Sequence, residues 1–286
     1  IDASGTFAQP NPAGAGGLLA DGEAALGAHL AYGLPDVLGA ERGRYAGRRV
    51  LVLGSGHSAQ NVLLDLTALA RQAQDTRVLW AVRRGAEEGG LYGGETRDLL
   101  PERGSLGTRV RQQVEAGAVQ RFISFSLERL ERRPEGIVAS DGVRSLPAVD
   151  ELVVATGFRP DLGLLRELRL ALEPATESPV ALGPLIDPNV HSCGTVPPHG
   201  ARELQHPERD FYVVGMKSYG RAPTFLLLTG YEQVRSVVAA LCGDLAAAHA
   251  VHLVLPETGV CSSGGAAACE VEPGAAPARR GAACCA

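Results

Sequence analysis

The chain has 286 residues, of which 45% are hydrophobic and 21% are charged, and its formal net charge is −5. This composition is typical of a globular protein with one or two domains, and the slight acidic excess argues against binding to nucleic acid or to a membrane surface. No stretch near the N-terminus resembles a signal peptide or a membrane span, so we expect a cytoplasmic protein that binds small molecules.

The opening residues, IDASGTFAQPNP, are typical of the end of a strand followed by an irregular crossing between domains. The chain begins at Ile1, and its single methionine is Met216. We therefore expect residues 1–46 to be the end of a first domain segment with its linker, in a chain that starts inside a longer reading frame.

A glycine turn follows the first strongly apolar run, in the sequence VLVLGSGHSA. Residues 50–53 predict a buried strand, and residues 58–71 predict a helix. Gly54 and Gly56 allow a tight turn and a close approach to a pyrophosphate, whereas Ala59 allows close packing of the helix. The pattern predicts a dinucleotide-binding turn, with a purely structural loop as the alternative. The residues expected at the nucleotide are Gly54, Ser55, Gly56, His57, Ser58 and Ala59.

Two arginines, Arg83 and Arg84, directly follow a second predicted strand at residues 78–82. An acidic residue at this position binds the ribose 2′-hydroxyl of NAD, whereas arginine can pair with the 2′-phosphate of NADP. We therefore expect NADPH to be the preferred nucleotide. The alternative is that both arginines belong to a solvated surface.

Further α/β elements follow along the chain. Periodicity predicts a helix at residues 106–116, a strand at 119–125, a hairpin with turns near 135 and 141, and a closing strand at 151–155. Beyond them we expect a helical turn at 162–172, a proline-rich loop at 179–207, a strand at 211–215 and a helix at 225–241. The segment after Pro256 is rich in Ala, Gly and Pro and is predicted to be disordered.

Several motifs together resemble the flavoproteins with two dinucleotide-binding domains, the group of flavin-containing monooxygenases and pyridine nucleotide-disulfide oxidoreductases. The motifs are IDASGT at Ile1, GSGHSA at Gly54, RR at Arg83, ELVVATGFRPD at Glu151 and FYVVG at Phe211. The resemblance implies an α/β fold in which a Rossmann-like NADPH-binding domain is inserted into a Rossmann-like FAD-binding domain that is incomplete here.

The same resemblance assigns residues to the domain crossing and to the flavin. Ala155, Thr156 and Gly157 match a crossing between the two domains, and Gly215 and Thr224 are expected beside the flavin. The implied division is residues 1–46 and 157–250 for the FAD domain, 47–156 for the NADPH domain and 251–286 for a cysteine-containing tail.

Cysteine usage separates the reactions that such a scaffold supports. No cysteine lies between Ile1 and Ser192, so the CxxC pair of a thioredoxin-reductase-like NADPH domain is missing. Monooxygenation needs no protein thiol, and we therefore expect a monooxygenase-like oxidoreductase that uses NADPH and FAD. The alternatives are a thioredoxin-reductase-like or metal- or arsenical-linked reductase, and a non-catalytic NADP-binding module.

The sequence assigns no catalytic base. Candidates for polar groups near the flavin edge or substrate are Cys193, Lys217, Tyr219 and Arg221, each of which also fits a structural role. The spacing of His191, His199 and His206 around Cys193 matches no structural zinc pattern. Cys284 and Cys285 are speculative ligands for a soft metal ion. A homodimer is a further hypothesis.

Overall fold

The computed structural model describes residues 1–85, 91–93, 101–191 and 196–253. A parallel five-stranded sheet lies within residues 30–154. Its strands are β1 (Leu30–Tyr32), β2 (Arg49–Leu53), β3 (Arg77–Ala81), β4 (Val119–Phe122) and β7 (Glu151–Val154). Their order in the sheet is β1-β7-β2-β3-β4. This arrangement confirms the predicted α/β class.

Both faces of the sheet are covered, which explains why β2 is an almost continuous apolar run. On one face Val52 and Trp80 pack against helices α2 (His57–Ala70) and α3 (Pro101–Glu115). On the other face Leu51 packs against the antiparallel hairpin of β5 (Arg129–Arg133) and β6 (Gly136–Ser140). Side-chain alternation along β2 thus sends neighbouring residues into two separate cores.

The linker predicted at residues 1–46 contains secondary structure that the sequence did not predict. Strand β1 lies there and pairs in parallel with β7, with Ala31 opposite Val153. A 3₁₀ helix, Ala24–His29, and the short helix α1, Arg42–Tyr45, flank this strand. The sheet therefore takes one strand from before residue 47, and the predicted domain division stays a prediction.

The second unit packs around its own core. Its elements are α4 (Gly183–Ile186), a 3₁₀ turn (Gly215–Tyr219), α5 (Leu227–Leu241) and α6 (Leu245–His249). Leu182, Leu204 and Val237 are fully buried here. The strand predicted at residues 211–215 was wrong, because Tyr212 and Val213 form only isolated bridges, to Gln205 and Asp2.

Helix α5 is present as predicted, but most of the side chains that it buries are polar. Thr229, Gln233 and Ser236 face the core, whereas Leu227 and Tyr231 are more than half exposed. Hydrophobic periodicity alone would turn this helix the other way. The buried polar groups are stable because neighbouring backbone and side-chain groups hydrogen-bond them, as Ser236 does with Ala201 and Ala248.

Two chain crossings run side by side between the sheet and the second unit. The Asn11 N–H donates to the Gly157 carbonyl at 2.9 Å, and the Arg159 N–H donates to the Gln9 carbonyl at 2.8 Å. Asp2 pairs with Val213 in the second unit, so the chain starts there, enters the sheet and returns. The predicted domain insertion requires such a path, and the insertion itself stays a prediction. Within the described residues, no helix is long and apolar enough to cross a membrane.

A buried ion pair between Lys217 and Asp2 links the first residues of the chain to the second unit. Lys217, the only lysine, places its Nζ 2.7 Å from Asp2 Oδ2 and 3.0 Å from Ser4 Oγ. Burial raises the pKa of Asp2, but the Lys217 ammonium and hydrogen bonds from Ser4 outweigh it and hold the pKa below its ordinary value.

We expect Lys217→Met to lower the free energy of unfolding by about 3 kcal/mol, because the Asp2 carboxylate would stay buried without its partner. Chemical denaturation measures this change, and the double variant Asp2→Asn/Lys217→Met should recover part of the loss. A Lys217→Met protein with unchanged stability would contradict this structural role. Lys217 would then again be a candidate for a polar group near the flavin or substrate.

Candidate nucleotide-binding site

The glycine turn begins where β2 approaches the end of β7. Gly54 has φ +123°, and a Cβ built on it would lie 2.3 Å from the Ala155 carbonyl oxygen. No side chain fits that space, and few residues other than glycine adopt that backbone conformation. The Trp80 indole N–H donates to the Gly54 carbonyl at 2.7 Å and fixes the turn from the neighbouring strand.

Gly56 opens the turn onto the N-terminus of helix α2. It occupies the N-cap position with φ −78°, and a Cβ built on it would meet nothing within 4 Å. Helix N-termini present unpaired N–H groups and a positive dipole end, which favour a phosphate. The first turn of α2 contains no acidic residue that would oppose an anion.

The position in the sheet is one where ligands bind in doubly wound folds. Strand β2 pairs with β3 on one side and with β7 on the other, so the strand order reverses around it. The crevice at the carboxyl ends of strands at such a switch point is the usual ligand site. The described residues there form an open, anion-favouring cradle that fits a pyrophosphate.

The other predicted residues of the turn differ in what they present. Ala59 is fully buried and packs the helix against the sheet. His57 is exposed, whereas Ser55 and Ser58 are partly exposed. Their contact with a nucleotide stays a prediction.

Arg83 and Arg84 follow β3 at the same edge of the sheet. Arg83 is exposed and donates to the Ala15 carbonyl at 2.9 Å, which ties it to the first crossing. Arg84 is partly exposed, and its carbonyl accepts from the Ser124 N–H at 2.9 Å. One of the two guanidinium groups is thus partly engaged within the chain.

The sequence did not indicate an aromatic and basic cluster next to this edge. The Arg121 guanidinium donates to the Tyr92 hydroxyl at 2.6 Å, and the Tyr92 ring lies 5.8 Å from Trp80. Arg121 stands opposite Trp80 in the register of β3 and β4. That register would have placed Arg121 here, but it is not readable from local sequence.

The residues of the second crossing have structural contacts. Ala155 is buried, and its carbonyl is the group that Gly54 approaches. The Thr156 hydroxyl donates to the Asn11 carbonyl at 3.2 Å. Gly157 has φ +94°, a conformation that glycine adopts without strain. These residues hold the two crossings together.

The residues expected beside a flavin are largely engaged within the chain. The Gly215 N–H donates to Gln233 Oε1 at 2.8 Å, and the Thr224 hydroxyl donates to the Ile186 carbonyl at 3.2 Å. Tyr219 is fully buried against Phe225, with ring centroids 5.2 Å apart. The Gly215 N–H and the Thr224 hydroxyl are therefore already hydrogen-bonded within the chain.

The remaining candidates are dispersed. Arg221 is exposed, and its backbone N–H donates to the Thr176 carbonyl at 2.7 Å. The ring of His199 bonds Gln233, whereas that of His206 accepts from the Ala171 N–H at 3.3 Å. Cys193, Cys284 and Cys285 lie outside the described residues. Among the residues that are described, no three His, Cys, Asp or Glu side chains group as metal ligands do.

The parallel sheet and the glycine turn together define a Rossmann-like α/β fold. The sequence matches no family model and no curated protein. Solved structures of similar fold include the bacillithiol disulfide reductase Bdr (YpdA) from Bacillus cereus, with a TM-score of 0.52 and 15% identity over 86% of this chain and 59% of that one. The chain therefore spans about three fifths of that protein.

Two further similar structures have lower scores. The bacillithiol disulfide reductase from Staphylococcus aureus has a TM-score of 0.49 and 13% identity, over 70% of this chain and 52% of that one. The Cu(II) complex of the HOCl-induced flavoprotein disulfide reductase RclA from Escherichia coli has a TM-score of 0.47 and 14% identity, over 86% and 42%. At these identities the likeness concerns the fold.

Two neighbouring glycines allow a matched test of the turn. We expect Gly54→Ala to lower the free energy of unfolding by about 3 kcal/mol, since it combines a strained φ with a clash against Ala155. Gly56→Ala should cost less than about 1 kcal/mol, because its Cβ meets open space.

Gly56→Ala, the variant with the smaller expected loss of stability, should weaken nucleotide binding. Gly56→Ala puts a methyl group where the pyrophosphate would lie, and we expect at least about tenfold weaker NADPH binding in a folded protein. Thermal denaturation and titration calorimetry measure the two effects. Unchanged binding in Gly56→Ala would rule out this turn as the pyrophosphate site.

Proposed function

We propose that this chain belongs to an NADPH- and FAD-dependent oxidoreductase and contributes its NADPH-binding domain. The observation that carries the proposal is the glycine turn. Gly54 closes against the Ala155 carbonyl, Gly56 leaves open space, and α2 directs its N-terminus into that space. The negative charge of a dinucleotide pyrophosphate matches the positive dipole end of α2 at this open turn.

In this proposal the residues of the turn bind and orient the nucleotide. The N–H groups at the start of α2 hold the pyrophosphate, with Ser55 and Ser58 available as hydrogen-bond partners. Arg83 and Arg84 pair with the 2′-phosphate, because both follow β3 at the edge where the ribose would lie. NADPH bound here would supply hydride to a flavin.

The flavin part of the proposal is supported by the motifs and by the path of the chain. IDASGT and VVATGF stand at the two crossings, and these crossings run side by side as an inserted domain requires. The Gly215–Tyr219 turn would then face the flavin. The Gly215 N–H and the Ser218 hydroxyl hydrogen-bond within the chain. Their proposed role is therefore to fix the backbone of the turn that would face the flavin.

Two second half-reactions remain open in this proposal. The absence of cysteine before residue 193 supports a monooxygenase-like reaction. The name of the B. cereus protein of similar fold, a disulfide reductase, supports the reductase alternative. Of the two reactions, we propose that of a monooxygenase-like enzyme, with the reductase as the alternative. We also propose small-molecule substrates and a cytoplasmic location. A homodimer stays a hypothesis.

An anaerobic titration tests the enzyme proposal. NADPH is added to the full-length protein reconstituted with FAD, and the flavin absorbance is followed; we expect bleaching. NADPH binding without retention or reduction of flavin would contradict the proposal and support a non-catalytic module. On re-aeration, oxygen uptake coupled to substrate oxidation supports the monooxygenase, whereas reoxidation by an added disulfide supports the reductase.

The arginine pair provides a separate prediction about nucleotide choice. We expect Arg83→Ala and Arg84→Ala each to weaken NADPH binding by about tenfold or more and to leave NADH binding unchanged, since only NADPH carries the 2′-phosphate. Arg77→Ala is the matched control, because Arg77 is exposed at the opposite end of β3. Equal affinities of the unaltered protein for NADPH and NADH would overturn this assignment.

A further inference from the structure

Three buried side chains meet beneath the Gly215–Tyr219 turn. His199, Ser218 and Gln233 are 4%, 0% and 0% exposed, and we call these three residues the Gly215 clamp. They come from three parts of the second unit: the loop after residue 196, the 3₁₀ turn itself and helix α5. A buried polar cluster of this kind costs stability unless every member is hydrogen-bonded.

Gln233 uses its whole amide group in the clamp. Its Oε1 accepts from the Gly215 N–H at 2.8 Å, and its Nε2 lies 3.0 Å from His199 Nε2 and 2.9 Å from Ser218 Oγ. Because the Gly215 N–H requires an acceptor, the amide orientation is fixed, and both amide hydrogens are donated. Ser218 Oγ in turn donates to the Gly215 carbonyl at 2.7 Å.

This arrangement determines the protonation state of His199. Its Nε2 accepts from Gln233, so it carries no hydrogen, and its Nδ1 donates to the Pro197 carbonyl at 3.0 Å. The imidazole is therefore neutral. Burial lowers the pKa of His199, while the Pro197 carbonyl and Glu203 oppose that shift only in part.

A proton on Nε2 would turn the contact with Gln233 into a meeting of two donors. Rotating the Gln233 amide would restore that contact but would place an NH₂ group against the Gly215 N–H. Either way one buried donor loses its acceptor, which costs the full desolvation of that group. We propose that His199 and Gln233 are positioning residues that hold the Gly215–Tyr219 turn through a chain requiring neutral imidazole, and that protonation of His199 releases the turn.

Charged and titratable groups lie near His199 on its own loop, on α5 and on α6. A cavity of about 190 Å³ beside the ring is lined by Arg202 and Glu203 from its own loop, Glu232 from α5 and His249 from α6. The Tyr219 ring lies 5.5 Å from the imidazole.

Both carboxylates of this surrounding have partners of their own. Glu232 pairs with Arg235 at 2.6 Å, and Glu203 accepts from the Gly200 N–H at 2.9 Å. The hydrogen bonds that the structure gives His199 go to Pro197 and Gln233.

The pH dependence follows in sign from the neutral clamp. Above the unfolded pKa of histidine, about 6.5, His199 is neutral in both states and the clamp is intact. As the pH falls below this value the unfolded or released chain binds a proton that the clamped state does not. The clamp therefore contributes its full stability above about pH 6.5 and loses it progressively in acid.

Hydrogen exchange of the peptide covering Gly215–Tyr219, corrected for intrinsic rates, tests this proposal. Between about pH 7.5 and pH 5.5 we expect the open population of this peptide to rise about tenfold, because only the open state binds a proton on a histidine whose unfolded pKa is about 6.5. His199→Gln keeps an acceptor for Gln233 and cannot be protonated, so it should retain protection and lose the pH dependence.

His206→Gln is the matched control, because burial also lowers the pKa of His206 but its ring bonds Ala171 rather than the clamp. This variant should keep the pH dependence of the 215–219 peptide. The same dependence in His199→Gln as in the unaltered protein, or none in either, would overturn the proposal. Nitrogen chemical shifts of His199 provide a measurement without substitution: a charged ring at pH 7.5 would also overturn it.

The relevance of this release to catalysis rests on the proposed function, in which the turn faces the flavin. The hydrogen-exchange measurement does not depend on that function. A protein that fails to bind flavin can still show the pH-dependent opening, so the two failures are distinguishable. In an active protein, the acid limb of the pH profile for flavin reduction should shift in His199→Gln and not in His206→Gln.

Discussion

The contact between Gly54 and the Ala155 carbonyl is the constraint on which the arrangement of the sheet edge depends. It joins the ends of two strands, β2 and β7, that are about a hundred residues apart in the chain and adjacent in the sheet. Parallel strands present their carboxyl ends at one edge, so the turn after β2 and the crossing after β7 must share that space. Only a residue without a side chain lets both backbones pass there. The same close approach leaves the N-terminus of α2 pointing into an open crevice rather than into protein.

The sequence predicted the elements around this contact because their patterns are local. The run at residues 50–53 is buried on both faces, and the glycines that follow it leave few alternatives to a strand, a turn and a helix. Strand β1 was missed because three residues carry too little periodicity, and its place beside β7 depends on a partner far along the chain. The strand predicted at residues 211–215 was wrong for the reverse reason: an apolar run was present, but only Tyr212 and Val213 find bridging partners.

Helix α5 shows why the residues of the Gly215 clamp could not be found from sequence. The helix exposes Leu227, Tyr231 and Val234 and buries Gln233 and Ser236, against the usual direction of hydrophobic burial. The polar face is favourable because it finds partners on the Gly215 turn, on the loop around residue 200 and on α6. Each of those partners is distant in sequence. A pattern that describes one helix at a time gives the helix and not its orientation.

The Gly215 turn is held from two directions by interactions with different chemistry. On one side Lys217 pairs with Asp2, whose pKa lies below its ordinary value, so the Asp2 carboxylate stays ionised throughout the neutral range. On the other side the chain through Gln233 requires an uncharged ring on His199. A change of pH between about 5 and 7 therefore acts on one anchor and leaves the other intact. The ion pair keeps the turn attached to the first residues of the chain, so release at the clamp can change the backbone at Gly215 without separating the crossings from the second unit.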